Sequence, residues 1–412
     1  MELIGDNSIS GAEVTFSLRK LLYYSTIVSL FSEALLINVG AFNLALSYLL
    51  LLLNLLLMLL LAQFSIPKKL VLFALYLGAS GAIGISQGTD TPGLVAKQLL
   101  GISISAFYFY NFFQLQDDHF EWAFRDYAIG CYWCSIVGIF MVPFQVLLHQ
   151  TFKLHSVLLE PAHFATVCIA GLYYFGDQWL SYRRYGPQLA VTLLAFIMSV
   201  SAVAYVGMAV VLFFLFSRYR YCAIAAPVVI GLLLGAALFV SSELRVRAFD
   251  TVVALEKSNV EDANLSTFAL VANVLVTENV LSDSPVLGHG VGSHPVSHAK
   301  FVDKIPGISE FVELNVEKFN ADDAASLLLR VLSEFGLLGA VGMFAFMWYF
   351  RVPGQGPRAQ ISYAILGYFF LKLLRHGHYF SPEQFFLILI YILNYRKSKS
   401  ERPEAGSGVV TG

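Results

Sequence analysis

Gln188–Phe216, QLAVTLLAFIMSVSAVAYVGMAVVLFFLF, is the stretch on which the topology turns. A membrane-crossing helix needs about 20 mostly apolar residues. The run is long for one span and short for two, so its charged flanks must decide. Lys and Arg gather in short cytoplasmic loops. Arg183-Arg184 precede the run, and Arg218 and Arg220 follow it. One crossing would put one of these groups outside; two crossings keep both inside. The reading is therefore two short helices, broken near Met198-Ser199-Val200-Ser201. A re-entrant pair satisfies the same parity.

The rest of the chain supports a polytopic membrane protein. Of 412 residues, 57% are hydrophobic and 13% charged, about half the usual charged share of a soluble domain. Mean hydropathy is +0.68. This excludes a soluble enzyme, a disordered chain and a coiled coil. The net charge of -2, with no basic domain, gives no reason to expect nucleic acid. Four cysteines are too few for a disulfide scaffold, and the Cys131–Cys134 pair is read as packing.

Further apolar runs lie at 21–40, 41–63, 70–86, 97–115, 127–147, 162–176, 222–241, 324–350, 361–374 and 383–395. The run at 21–40 lacks a small-residue cleavage pattern and reads as the first span, not a signal peptide. With 188–216 counted twice, the expectation is an all-α polytopic protein of about twelve transmembrane helices, both termini cytoplasmic. Residues 1–241 hold helices one to nine, and 242–323 form one large external loop with short helices over that face. Residues 324–396 hold helices ten to twelve, and 397–412 form a disordered cytoplasmic tail. No internal repeat is visible, which weighs against a transporter built from repeated halves.

Chemistry is expected on the external face. Eight of nine histidines fall there: His149, His155, His163, His289, His294, His298, His376 and His378, with only His119 inside. Imidazole titrates near neutral pH and serves as a proton acceptor, although external loops also collect histidine simply because they are polar. His294 and His298 have helical ligand spacing, but no His-Glu-x-x-His pattern is present, and no metal is assigned. Asp323, Ser326, Arg330 and Glu334 are three or four apart and form one polar stripe on a helix starting near 322. Asn320 or Asp323 would cap that helix. Arg330 inside a span costs about 2.5–3.5 kcal/mol on insertion scales, so it is expected to face a cavity or an anion. The alternative is a pair with Glu334 alone. Lys372 and Arg375-His376-Gly377-His378-Tyr379 form a cationic cluster, and Arg245 and Arg247 follow the ninth span. Arginine clamps phosphate oxygens in a bidentate way, though any of these could simply snorkel to headgroups. Glu160 sits where an external loop enters the sixth span. Gly288-His289-Gly290-Val291-Gly292 is no dinucleotide motif; its glycines permit a sharp turn or close approach to a ligand.

Four segments together resemble the Wzy-type O-antigen polymerases of the O-antigen ligase/polymerase group. Leu159-Glu160-Pro161-Ala162-His163-Phe164-Ala165 resembles their "EPs.fa" segment, and Ser199-Val200-Ser201 their "S.S" segment. Ser284–Gly292 resembles "PLfGhGlG" of the large periplasmic loop. Asp323 with Leu327–Gly339 resembles "DS.lL..l.e.GllG". The match covers about 160–380. The His-Asn pair that ligases carry is replaced here by Ala325-Ser326, which favours polymerase over ligase and leaves the base open. His289 and His294 are candidates, with Asp322 or Asp323 as alternatives.

The resemblance implies a metal-independent, cofactor-free glycosyltransferase of lipopolysaccharide biosynthesis in the bacterial inner membrane, its site facing the periplasm. It would transfer a growing glycan from undecaprenyl pyrophosphate to a hydroxyl of a new lipid-linked unit. Arg247, Arg330, Arg375, His376 and Glu160 would bind substrate. Expected partners are the undecaprenyl-pyrophosphate-linked oligosaccharide, membrane lipid, and a chain-length regulator and flippase of the same pathway. The other readings are an O-antigen ligase acting on lipid A-core, a lipid-linked oligosaccharide transporter, and an assembly partner without chemistry.

Overall fold

A computed structural model describes residues 11–39, 42–60, 64–116, 119–149, 153–217, 231, 242–261 and 263–401. The chain is helical. Before the large loop come α1 (Gly11–Ser29), α2 (Leu46–Leu60), α3 (Lys68–Ser86), α4 (Pro92–Leu115), α5 (Phe120–His149), α6 (Pro161–Tyr182), α7 (Gly186–Met198) and α8 (Ala202–Ser217). Within it lie α9 (Ser242–Lys257), α10 (Leu265–Asp283), α11 (His294–Phe301) and α12 (Ser309–Glu313). Then come α13 (Leu327–Tyr349), α14 (Pro357–Leu374) and α15 (Pro382–Ser400). Among the described residues four helices, α3, α5, α10 and α13, are long and apolar enough to cross a membrane. Only 17% of the α3 window is buried in the protein, and Leu72, Leu75, Phe140, Phe144, Val341 and Trp348 point outward. Such apolar outer faces are what lipid-facing helices present. The protein is a helical membrane protein.

The run 188–216 breaks at Ser199–Ser201, as its charged flanks require. Val200 turns with φ +46°. A Cβ on Gly176 would lie 3.0 Å from Leu215 and 4.0 Å from Leu189. The end of α8 therefore returns to the level where α7 begins, so α7 and α8 form an antiparallel hairpin beside α6. The span expected at 222–241 lies outside the described residues, apart from a helical Gly231.

Two expectations are corrected. The first apolar run is not one helix to residue 40. Its helix stops at Ser29, and Leu36–Val39 (β1) pairs antiparallel with Phe42–Ala45 (β2), Leu36 opposite Ala45 and Val39 opposite Phe42. This short ladder interrupts the helices without changing the helical class of the fold. Past the end of α1, Ser32 Oγ donates to Ser29 O, and Glu33 meets His163. The large loop also contains more than short helices, for α10 runs 19 residues. Both its ends border groups of one face: Thr267 lines a cleft with Glu160, and Asp283 Oδ2 lies 3.9 Å from His289 Nε2. It therefore lies along that face. Phe268, Val271, Val276 and Val280 pack there with Phe301, Val302, Ile305 and Phe311 in a core separate from the main one.

The remaining loops sort to two ends. Ala34 N donates to Val157 O, Thr89 Oγ1 to His289 O, and His376 N to Ala325 O, joining at one face the loops after α1, α3, α5, α10, α12 and α14. At the other end Arg358 pairs with Glu121 and Glu401, and Lys69, Arg396 and Lys399 border one depression. The loops read as external share the first end; basic residues read as internal border the second.

Candidate functional site

The site begins with a fault in α13. Gly336 has φ +61° and ψ −158°, so the helix cannot continue its hydrogen bonds there. The glycine-rich loop replaces them. His289 N donates to Ser333 O and Gly290 N to Glu334 O, each at 2.9 Å; Leu337 N donates to Pro285 O at 2.9 Å and Leu338 N to Val286 O at 3.1 Å. An unsatisfied backbone group at membrane depth costs several kcal/mol, so this exchange is what makes the break tolerable. The glycines of 288–292 therefore serve close approach to backbone, not to a ligand. A Cβ on Gly288 would lie 2.7 Å from Glu334 C and Phe335 N, and one on Gly290 would lie 2.8 Å from Ser80 O.

Six residues earlier on α13, Arg330 is fully buried. Its Nε donates to Glu334 Oε1 at 3.0 Å, its Nη1 donates to Gly377 O at 3.1 Å, and its guanidinium stacks 4.5 Å from the Tyr379 ring. Arg330 thus faces neither cavity nor lipid; it holds the 375–379 loop from beneath. The capping expectation is corrected here. Ser326, not Asn320 or Asp323, caps α13, accepting from Leu329 N at 3.3 Å and donating to Leu373 O at 2.5 Å. Asp323 lies before the helix, its Oδ1 accepting from Ala325 N at 3.1 Å. Ala324 and Ala325 there have left-handed φ of +59° and +57°, which takes Asp323 off the stripe formed by Arg330 and Glu334.

The two loops meet above Arg330. Asp323 Oδ2 lies 3.9 Å from His378 Nε2, and Arg375 Nη2 lies 3.7 Å from Glu160 Oε2. Lys372 and Glu383 are buried together at 3.3 Å, with Tyr368 and Ser381 also donating to Glu383. Beside them Glu33 Oε2 meets His163 Nδ1 at 3.1 Å, and His376 stacks on His163 with ring centroids 4.0 Å apart. Burial opposes a charge on Glu33, yet the His163 hydrogen bond and nearby positive charge hold its carboxyl below the usual range. Burial, then neighbouring His163 and Lys372, pushes the His376 pKa well below that of free imidazole.

Next to this cluster opens a cleft of about 480 Å³ between the α7–α8 tip, α9, α10 and the end of α14. Val203, Val206, Ala248 and Leu270 make its apolar wall, while Lys153, Glu160 and Arg375 give it a charged end.

Of the residues singled out in the sequence, Glu160 and Arg375 line the cleft. Arg330 and His376 lie behind it, and Asp323 joins them through His378. Arg247 stands on α9, but its side chain is outside the described residues. His289 and His294 sit apart, under α10. Asn273 Nδ2 donates to Ala269 O, so its Oδ1 accepts from His294 Nε2 at 2.8 Å, and His294 Nδ1 lies 2.8 Å from Ser333 Oγ. With both nitrogens engaged and no exposed surface, His294 is a strut. His289 Nδ1 is held 2.9 Å from Ser297 Oγ. Burial, with Lys300 nearby, lowers its pKa; burial pushes that of His298 to about 4.

The reading missed Glu33 and Glu383. Glu33 was absorbed into a hydrophobic run; a lone carboxylate inside such a run was the available signal. Glu383 lies in the first turn of α15, and its partner Lys372 is eleven residues away, beyond any helical spacing.

Asp90, in the turn under the glycine loop, was also missed. Burial raises its pKa to about 7 despite the Thr91 N–H bond, and nearby Glu334 adds to the rise. An unfolded aspartate titrates near 3.9, so folding takes up a proton between about pH 4 and pH 7. Its stabilising contribution is full below that window and lost as pH rises through 7. Asp90→Asn is therefore expected to melt near wild type at pH 4 and several degrees higher at pH 8, measured by thermal unfolding in detergent.

Comparisons of the chain with protein-family models, curated proteins and solved structures give no match. The fold and site therefore define its class on their own terms: a helical membrane protein with a charged centre and adjoining apolar cleft at one face.

Proposed function

We propose that this protein polymerises lipid-linked oligosaccharide repeat units. In this reading the chain crosses the bacterial inner membrane twelve times, with 242–323 as a large periplasmic loop and the charged face directed to the periplasm. The observation that carries the reading is the cleft: an apolar wall suited to a polyprenyl chain ends at Arg375 and Lys153, suited to pyrophosphate. The sequence resemblance supports it, because its segments at 159–165, 199–201, 284–292 and 323–339 come together around this one face.

The growing chain, linked to undecaprenyl pyrophosphate, lies with its lipid along the wall. A hydroxyl of the incoming unit attacks the anomeric carbon. The carbon–oxygen bond to pyrophosphate breaks, and Arg375 and Lys153 hold the departing charge. The hydroxyl proton passes to the Asp323–His378 pair, whose imidazole is 40% exposed. His294 is not the acceptor, since both its nitrogens are engaged within the protein. Arg330 positions Arg375 through the loop it holds.

The test uses detergent-purified protein with lipid-pyrophosphate-linked repeat units and products resolved on a gel. A ladder of lengthening lipid-linked products is expected. A charge-assisted hydrogen bond is worth about 1.5–3 kcal/mol, so Arg375→Ala should slow extension about 10- to 100-fold. Transfer to added lipid A-core without a ladder would mean a ligase. Binding of the lipid with no transfer to either acceptor would mean a transporter or assembly partner.

A further inference from the structure

We propose that Glu33, His163 and His376 bind one divalent metal ion of the zinc class, a site separate from the pyrophosphate cleft and not resting on the polymerase reading.

The charges of the face pair off unevenly. Lys372 takes Glu383, Arg375 takes Glu160, and Arg330 takes Glu334. Glu33 and Asp323 remain, and the ionisable groups within ion-pair distance of them among the described residues are His163, His376 and His378. Two carboxylates facing three imidazoles make a place for a dication.

Geometry selects three of the five. One ligand atom from each of Glu33, His163 and His376 lies within 4.8 Å of the others. Zinc binds imidazole nitrogen and carboxylate oxygen at about 2.0–2.2 Å, so two ligands on a tetrahedral ion sit roughly 3.3–3.5 Å apart. Here Glu33 Oε2 is 3.1 Å from His163 Nδ1, and Glu33 Oε1 is 3.8 Å from His376 Nε2. The His163 and His376 rings, stacked with 19° between their planes, must turn out of the stack for both lone pairs to meet one ion.

The second observation is His376 itself. The residue is 1% exposed, and neither ring nitrogen has a hydrogen-bond partner among the described residues. Native proteins rarely leave buried polar atoms unsatisfied. A metal on Nε2, the nitrogen 3.8 Å from Glu33 Oε1, would satisfy one of the two, which a bare Glu33–His163 pair does not. Two nitrogens and an oxygen suit zinc better than magnesium or calcium, which take oxygen donors. The ion would join the segment after α1, the start of α6 and the loop that carries Arg375.

The experiment takes chelator-stripped, tag-free protein in detergent and titrates it with zinc(II), and separately with cobalt(II), whose visible bands report ligation. Wild type is expected to bind one equivalent and to melt higher with zinc. His163→Ala and His376→Asn should lose the cobalt bands and the zinc-dependent rise in Tm. Glu33→Gln should weaken binding at least 100-fold. His119→Ala, at the opposite end of the molecule, should bind like wild type. Melting of each stripped variant reports whether it is folded. No wild-type binding at micromolar free zinc, or equal binding by wild type and folded His376→Asn, would overturn the site and leave only a hydrogen-bonded Glu33–His163 pair. Neither result bears on whether a product ladder forms.

Discussion

Arg330→Ala is expected to lose both thermal stability and chain extension, and the reason is the partner it leaves behind. Glu334 is fully buried, and its Oε1 accepts from Arg330 Nε. Breaking a buried pair from one side costs about 3–5 kcal/mol, because the remaining charge is stranded. Domain stabilities are only about 5–15 kcal/mol, so this is a large fraction. Arg330→Lys should recover only part of the loss. One ammonium cannot reproduce the planar fork that reaches Glu334 Oε1, Gly377 O and the Tyr379 face together.

Loss of activity in an unstable variant would say nothing about Arg330 itself. The double variant Arg330→Met with Glu334→Leu separates the two effects. Replacing a buried pair by apolar residues of similar size is often neutral or stabilising by about 1–4 kcal/mol, so its melting temperature should return toward wild type. Its polymerising activity should not. The bond to Gly377 O stays absent, and the loop carrying Arg375 loses its anchor. A double variant with normal melting and a full product ladder would show that Arg330 only stabilises the fold.

How far these residues could be read from the sequence depended on the range of the interaction. Helices were legible because hydropathy is local. The runs at 97–115, 324–350, 361–374 and 383–395 correspond to α4, α13, α14 and α15 within a few residues. The α7–α8 break was legible because charges on either side of 188–216 constrain its parity. The site was legible as a set of residue types on one face, but not as a set of partners. Arg330–Glu334 is an i,i+4 pair and could be anticipated. Arg330–Gly377, Glu33–His163 and His294–Asn273 are separated by 47, 130 and 21 residues, and no periodicity links them. The roles of His294 and Arg330 changed for that reason: residues that looked reactive in isolation are held by groups from other elements.

Gly336→Ala is the substitution expected to do most damage for the fewest atoms. The residue has φ +61° with ψ −158°, a region open essentially to glycine alone, where other residues pay about 1–3 kcal/mol. The added methyl would also lie 2.5 Å from both C and O of Val286 and 2.7 Å from Gly288 N. These are backbone atoms, which cannot swing aside as a side-chain tip can. Alanine also favours a continuous α-helix. The variant's easiest relief is to straighten α13 and expel the glycine loop, exchanging four main-chain bonds for two within the helix, at about 0.5–1.5 kcal/mol each. Amide hydrogen exchange measures this directly. In the variant the amides of His289 and Gly290 should lose protection together, while Leu337 and Leu338 re-bond to Ser333 O and Glu334 O in the straightened helix and the amides of α6 and α15 keep their protection. Chain extension should also fall, because Glu334, the partner of Arg330, lies on the turn that straightens. Wild-type protection at the His289 and Gly290 amides in Gly336→Ala would mean that the loop does not depend on the break in α13.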